Sequence, residues 1–129
     1  MTEKLKFEVL VDTLGVCRLC ASQSIPQWAY QGEFFSVTKT TEELSIVCSE
    51  VVIPEDIVCE RGWRALKIAG ILDFSLVGIL SVVATILAKA GISIFAVSTY
   101  NTDYILVKAK DLECALQALR HEGYDVVIQ

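Results

Sequence analysis

Cys17-Arg18-Leu19-Cys20 has the spacing at which two thiolates can grip a soft metal ion or cycle through a disulfide. Either use needs both sulfurs exposed and converging. Residues 16–19 read as strand, and positions three apart on a strand point to opposite faces. The pair should therefore split into one buried thiol and one incidental one, so no metal is assigned to it. His121 is the only histidine. It falls near a helix C-terminus, where a cation is favourable. With no second histidine and no clear nucleophile, neither a Ser-His-Asp nor a Cys-His arrangement has support. The glycines form no dinucleotide-binding or phosphate-loop pattern. Glu42 and Glu43 read as a solvated turn. The chain is read as non-catalytic, with no cofactor and no metal.

The elements that must position any remaining polar groups are clearest in the C-terminal half. Residues 63–69 have strand composition, and Gly70 turns the chain. Ser75 is a good N-cap for a helix over 76–90, which Gly91 ends. Residues 92–99 are β-branched and aromatic, residues 100–102 turn, and 103–108 return as an antiparallel strand. Asp111 caps a helix over 112–122, with Leu112, Ala115, Leu116 and Leu119 on one face. Gly123 ends it and 124–128 form a last strand. The order β-α-β-β-α-β is the ferredoxin-like plan, an α+β fold with an antiparallel sheet and helices on one face. The first helix is apolar nearly all round, so its outer face is expected to be covered by the N-terminal half or a second subunit.

The N-terminal half reads as strands over 7–11 and 16–19 around a turn at 12–15. A short helix over 25–30 has Pro26 in its first turn, and a hairpin spans 35–40 and 44–49. No strong second helix is visible; 54–57 supply at most a turn. The halves divide at 1–60 and 61–129. Ser36-Val37-Thr38-Lys39-Thr40, leading to Leu44-Ser45-Ile46-Val47, repeats as Ser98-Thr99-Tyr100-Asn101-Thr102, leading to Tyr104-Ile105-Leu106-Val107. This is the trace expected of a degenerate tandem repeat. Trp28 and Trp63 read as packing residues.

Composition narrows the classes. The chain has 129 residues, 53% hydrophobic and 21% charged, enough for a real core. A net charge of −5 without a basic run argues against nucleic acid. The longest apolar run, 76–88, falls short of the roughly 20 residues a bilayer span needs. No signal peptide is visible. The five cysteines, an odd number, suit reduced thiols and a cytoplasmic location.

Asp73-Phe74-Ser75-Leu76-Val77-Gly78-Ile79-Leu80, then the helix and Gly91-Ile92-Ser93-Ile94, resembles the ACT domain signature. Residues 94–107 resemble more specifically the tandem-ACT subfamily, which includes small bacterial proteins and the animal cytosolic arginine sensor. Val16-Cys17-Arg18-Leu19, Ile25-Pro26-Gln27-Trp28, Phe34-Phe35-Ser36-Val37-Thr38 and Glu43-Leu44-Ser45-Ile46-Val47-Cys48 resemble the N-terminal half of those proteins. The resemblance implies two ACT halves, the N-terminal one degenerate, that pair through their sheets. It also implies amino-acid effectors bound at ACT–ACT interfaces.

An amino-acid carboxylate suits a helix N-terminus, where free N–H groups and the dipole favour an anion. Ser75, Leu76, Val77, Gly78 and Ile79 would supply it. Gly78, in the first turn, either admits a ligand to the backbone or only allows close helix–strand packing. Asp103 either pairs with a ligand's cationic end, as the resemblance implies, or is a turn aspartate bonding its own backbone. Asp73 either contacts an ammonium or helps to cap the helix. Ser98, Thr99 and Tyr100, with Ser36, Val37 and Thr38 as their repeat equivalents, would line the site. The expected function is a regulatory module that binds an amino acid or similar small molecule, as a homodimer, with neither nucleic acid nor membrane as partner. The alternative is a structural interaction module that homodimerises without ligand.

Overall fold

The computed structural model of the chain describes residues 5–69 and 78–129. It divides into two compact units, Met1–Val11 with Arg64–Gln129, and Asp12–Trp63. The expected turn at 12–15 does not form: β1 (Lys6–Leu19) runs through it unbroken. Asp12, Thr13 and Gly15 are turn formers by composition, yet Gly15 has no positive φ and pairs with Cys48 in the ladder. The glycine supplies clearance. A Cβ there would lie 2.5 Å from Ile53 Cδ1 and 2.8 Å from Cys59 Sγ. Glycine within a strand marks such close approaches as well as bends.

In the Asp12–Trp63 unit the strand order is β2 (Ser36–Lys39), β3 (Leu44–Ser49), β1 and β4 (Cys59–Ala69), of which β1 and β4 each give this unit one end. Strand β3 is antiparallel to both neighbours, with Ile46 opposite Val37 on one side and Cys17 on the other. Leu44, Ile46 and Cys48 alternate onto one face and are buried with Cys17, Leu19, Ala29 and Ile53. The short helix expected near 25–30 is a 3-10 turn, Gln27–Tyr30, with Pro26 at its N-cap. A second 3-10 turn, Glu50–Val52, had no sequence signal. Arg61 secures it, donating to the Glu50, Ile53 and Pro54 carbonyls at 3.0, 3.1 and 3.2 Å. No α-helix forms in this unit.

The other unit orders its strands β7 (Asp125–Ile128), β1, β4, β6 (Asp103–Lys108) and β5 (Ile94–Ser98). In the plan read from sequence, the last strand would lie beside β4. Here the start of β1 stands between them and pairs with β7 in parallel, Phe7 opposite Val126. Phe7 and Val9 are fully buried in consequence, and Phe7 meets Tyr124 edge to face at 5.8 Å.

Helices α1 (Ile79–Lys89) and α2 (Leu112–His121) belong to this unit. In α1, Ile79, Leu80, Val83, Ile86 and Leu87 share the face toward the core. Ser81, Thr85 and Lys89, spaced by four, are exposed. The helix thus has a solvated face, narrower in apolar residues than expected, although Val82 remains 46% exposed on it. In α2, Leu112, Ala115, Leu116 and Leu119 face the core as read. Both helices end alike. Ile92 and Tyr124 donate back to the Leu87 and Leu119 carbonyls at 3.0 and 3.2 Å, across Gly91 and Gly123, whose φ angles of +77° and +92° favour glycine.

Candidate ligand site

The β5–β6 hairpin is closed by a threonine. Thr99 N–H donates to the Thr102 carbonyl at 2.8 Å, Thr99 Oγ1 donates to the same carbonyl at 2.9 Å, and Thr102 N–H donates to Thr99 Oγ1 at 3.2 Å. Thr102 Oγ1 in turn donates to the Ile68 carbonyl at 2.6 Å, which ties the turn to β4. These bonds close the turn without Asp103. Asp103 stands opposite Ser98 as the first residue of β6 and is half-buried. Among the described residues no hydrogen bond or ion pair engages its carboxylate. Of the two sequence readings, the aspartate that bonds its own turn is the one this geometry does not contain. Tyr100, at the tip, is wholly exposed.

Gly78 is not in the first turn of α1. It is the N-cap, with φ +84°, and no side chain caps the helix there. A left-handed N-cap suits glycine, and among the described residues nothing lies within 4 Å of where its Cβ would stand. Val82 N–H donates to the Gly78 carbonyl at 2.9 Å, so the N–H groups before it have no acceptor within the helix. Ile79 begins the helix and packs on the core. Asp73, Ser75, Leu76 and Val77 lie outside the described residues. Asp111 occupies the N-cap position of α2 but makes no side-chain cap bond.

Ser36, Val37 and Thr38 lie in β2, in the other unit. The β2–β3 turn repeats the threonine closure. Thr40 N–H donates to the Glu43 carbonyl at 2.9 Å, and Glu43 N–H donates to Thr40 Oγ1 at 3.1 Å. A 3-10 turn then follows each hairpin, Glu50–Val52 after β3 and Ala109–Asp111 after β6. In this register Thr40 answers to Thr99 and Leu44 to Asp103, so the residues matching Ser98, Thr99 and Tyr100 are Lys39, Thr40 and Thr41. Ser36, Val37 and Thr38, the equivalents expected from sequence, lie three residues before them. The bonded threonines, not the serines, mark the equivalent positions.

The thiol pair divides as strand alternation requires. Cys17 is buried and Cys20 exposed. Hydrogen bonds from the Ser22 hydroxyl and backbone hold the Cys20 thiol below its ordinary pKa. Among the described residues no group of three His, Cys, Asp or Glu side chains could hold a metal ion. A groove of about 490 Å³ between α1 and α2, lined by residues including Thr85, Lys89, Cys114, Gln117 and His121, touches none of the predicted ligand residues. It is an open trough between two solvated helix faces, with no buried polar group to orient a ligand.

A family model described as ACT domain matches residues 58–121, and a second, describing an N-terminal domain, matches 12–56. The chain belongs to the ACT-domain family. Its structure resembles the crystal structure of protein Atu0741 from Agobacterium tumefaciens, with TM-score 0.94 and 38% identity over 99% of this chain and 96% of that one. It is 30% identical over 101 residues to the human cytosolic arginine sensor for mTORC1 subunit 1, across 70% of this chain. The chain spans 31% of that relative's length. The regulatory subunit of aspartate kinase from Thermus thermophilus shares the fold, with TM-score 0.62 and 12% identity over 87% of this chain and 93% of that one. By name, the human relative is a sensor and the Thermus thermophilus one a regulatory subunit. No helix among the described residues is long and apolar enough to cross a membrane.

Proposed function

We propose that the chain is a regulatory module that binds a free amino acid, with Asp103 as the contact for the ligand's positive charge. The observation that carries this reading is the half-buried Asp103 carboxylate left uncommitted while Thr99 closes the turn. Ordinary turn aspartates spend their oxygens on local N–H groups, so one that does not is available to a cation. The uncapped start of α1 at Gly78 suits the ligand's carboxylate for the converse reason, with N–H groups that have no acceptor within the helix and the positive end of the helix dipole. Asp73, Ser75, Leu76 and Val77 are assigned to the same helix start, Ser98 and Tyr100 to the rim, and Lys39 and Thr41, on either side of the closing Thr40 and in place of Ser36, Val37 and Thr38, to a lining from a paired ACT unit. Binding at such a pairing would couple ligand to homodimer assembly.

A thermal-shift panel of the twenty amino acids tests this. A ligand that binds only the native state adds about 2.7 kcal/mol at a hundred times its dissociation constant. A selective rise in Tm for one or a few amino acids is the expected result. A flat panel, from folded protein freed of carried-over ligand, would turn the reading to assembly without ligand.

A further inference from the structure

Three of the five cysteines meet in the Asp12–Trp63 unit, on β1, β3 and β4, and the ligand reading uses none of them. Arg18 N–H donates to the Val58 carbonyl at 3.0 Å, while Gly15, three residues back on β1, abuts Cys59 Sγ and the Glu60 carbonyl. As β1 is followed backward, β4 advances, so the strands are antiparallel here and Cys17 stands directly opposite Cys59. The bond from Arg18 makes 17 and 59 a non-hydrogen-bonded pair, the closer type, with Cα atoms about 4.5 Å apart. That separation lies within the range a disulfide spans. Cys48 is different. Its thiol hydrogen-bonds that of Cys17, but its register partner is Gly15, which leaves the two diagonal, with Cα atoms about 7–8 Å apart, a span that a disulfide closes only with backbone movement. Gly15 also leaves the room that Cys59 Sγ occupies.

We propose that Cys17 and Cys59 form a dithiol that closes to a cross-strand disulfide by exchange with a small soluble disulfide such as oxidised glutathione. Cys59 is half-buried, whereas Cys17 is 1% exposed, so the first attack falls to Cys59. The Cys59 thiolate displaces one glutathione thiolate and forms a mixed disulfide. Cys17 then attacks the Cys59 sulfur, forming the internal bond and displacing the second glutathione. The two protein thiol protons end on the two glutathione thiols, and the two electrons reduce the one disulfide consumed. Burial and the Cys17 hydrogen bond push the Cys59 thiol up to about 12, which makes the exchange slow at neutral pH and faster in alkali.

The test uses a Cys20→Ser/Cys114→Ser variant, which removes the two exposed thiols and keeps the three clustered ones. It is incubated in native buffer with oxidised glutathione. Thiols are then counted in denaturant and the digest is mapped without reduction. The expected result is a fall from three thiols to one and a linked peptide pair carrying Cys17 and Cys59. Adding Cys48→Ala should preserve the link, and adding Cys59→Ser should abolish it. A link between Cys17 and Cys48, three thiols persisting even at alkaline pH, or a link that forms only in urea would each overturn the proposal.

Discussion

The β2–β3 and β5–β6 hairpins are two versions of one device. Each is closed by a threonine that bonds the residue three places on, and each leads through a strand into a 3-10 turn. They differ in the residue just past the closure. In the first it is Leu44, 1% exposed and part of the unit's core. In the second it is Asp103, half-buried and engaged by nothing described. The units differ in the same sense. One keeps two amphipathic helices, while the other has only 3-10 turns. A shared closure thus holds a packing residue in one unit and a free carboxylate in the other. The fold does not require the second choice.

Exchanging the two residues should give the most unequal outcome. Leu44→Asp puts a carboxylate in an apolar cluster and removes a buried side chain, which should cost on the order of 4 kcal/mol or more in urea unfolding. Asp103→Leu should change stability by no more than about 1 kcal/mol and abolish the ligand response. Equal costs at both positions would dissolve the distinction.

Gly15→Ala comes next. Its Cβ would meet Ile53 and Cys59 at 2.5 and 2.8 Å, so about 1–3 kcal/mol should be lost, read as a lower urea midpoint. A neutral result would mean that the approach of β4 to β1 is looser than described.

The closures themselves should be worth less. Thr40→Val and Thr99→Val should each cost about 1 kcal/mol, and the double variant should lose close to the sum, since the two turns share no partner. A Thr99→Val cost several times that of Thr40→Val would show that the hairpins are not equivalent.

A pH-dependent effect follows from the Cys59 thiol, raised from its ordinary value to about 12 by burial first and then by Cys17, with Glu50 raising it and Arg61 lowering it. Above pH 9 the unfolded chain releases this proton and the folded chain retains it, so stability should fall between pH 9 and about 12. Chemical unfolding along that pH series, compared with Cys59→Ser, isolates the contribution.

Much of the fold was legible because the helices and hairpins carry local signals. The apolar faces of α1 and α2, the glycines that end them and the Asp103–Lys108 strand need only near neighbours in the chain. What escaped depends on distant partners. Gly15 is a turn residue by type and a clearance residue in fact, because Ile53 and Cys59 lie over it. The Glu50–Val52 turn depends on Arg61, eleven residues beyond Glu50. The start of β1 pairs with β7 from the far end of the chain, which no local pattern announces. Of the candidate site, Asp103 was legible by type and position. Its freedom was not, since that rests on Thr99 taking the turn's bonds. The lining from β2 was misregistered because serines were matched in place of the bonded threonines.

Whether Asp103 holds the ligand's positive charge is tested by titration calorimetry of wild type, Asp103→Asn and Thr40→Val with the amino acid that the thermal panel selects. Asn keeps the size of Asp103 and removes its charge, while Thr40→Val disturbs only the matching hairpin. Asp103→Asn should lose at least tenfold in affinity, about 1.4 kcal/mol, and Thr40→Val should lose none. Unchanged affinity in a folded Asp103→Asn protein, or equal losses in both variants, would contradict that role for Asp103.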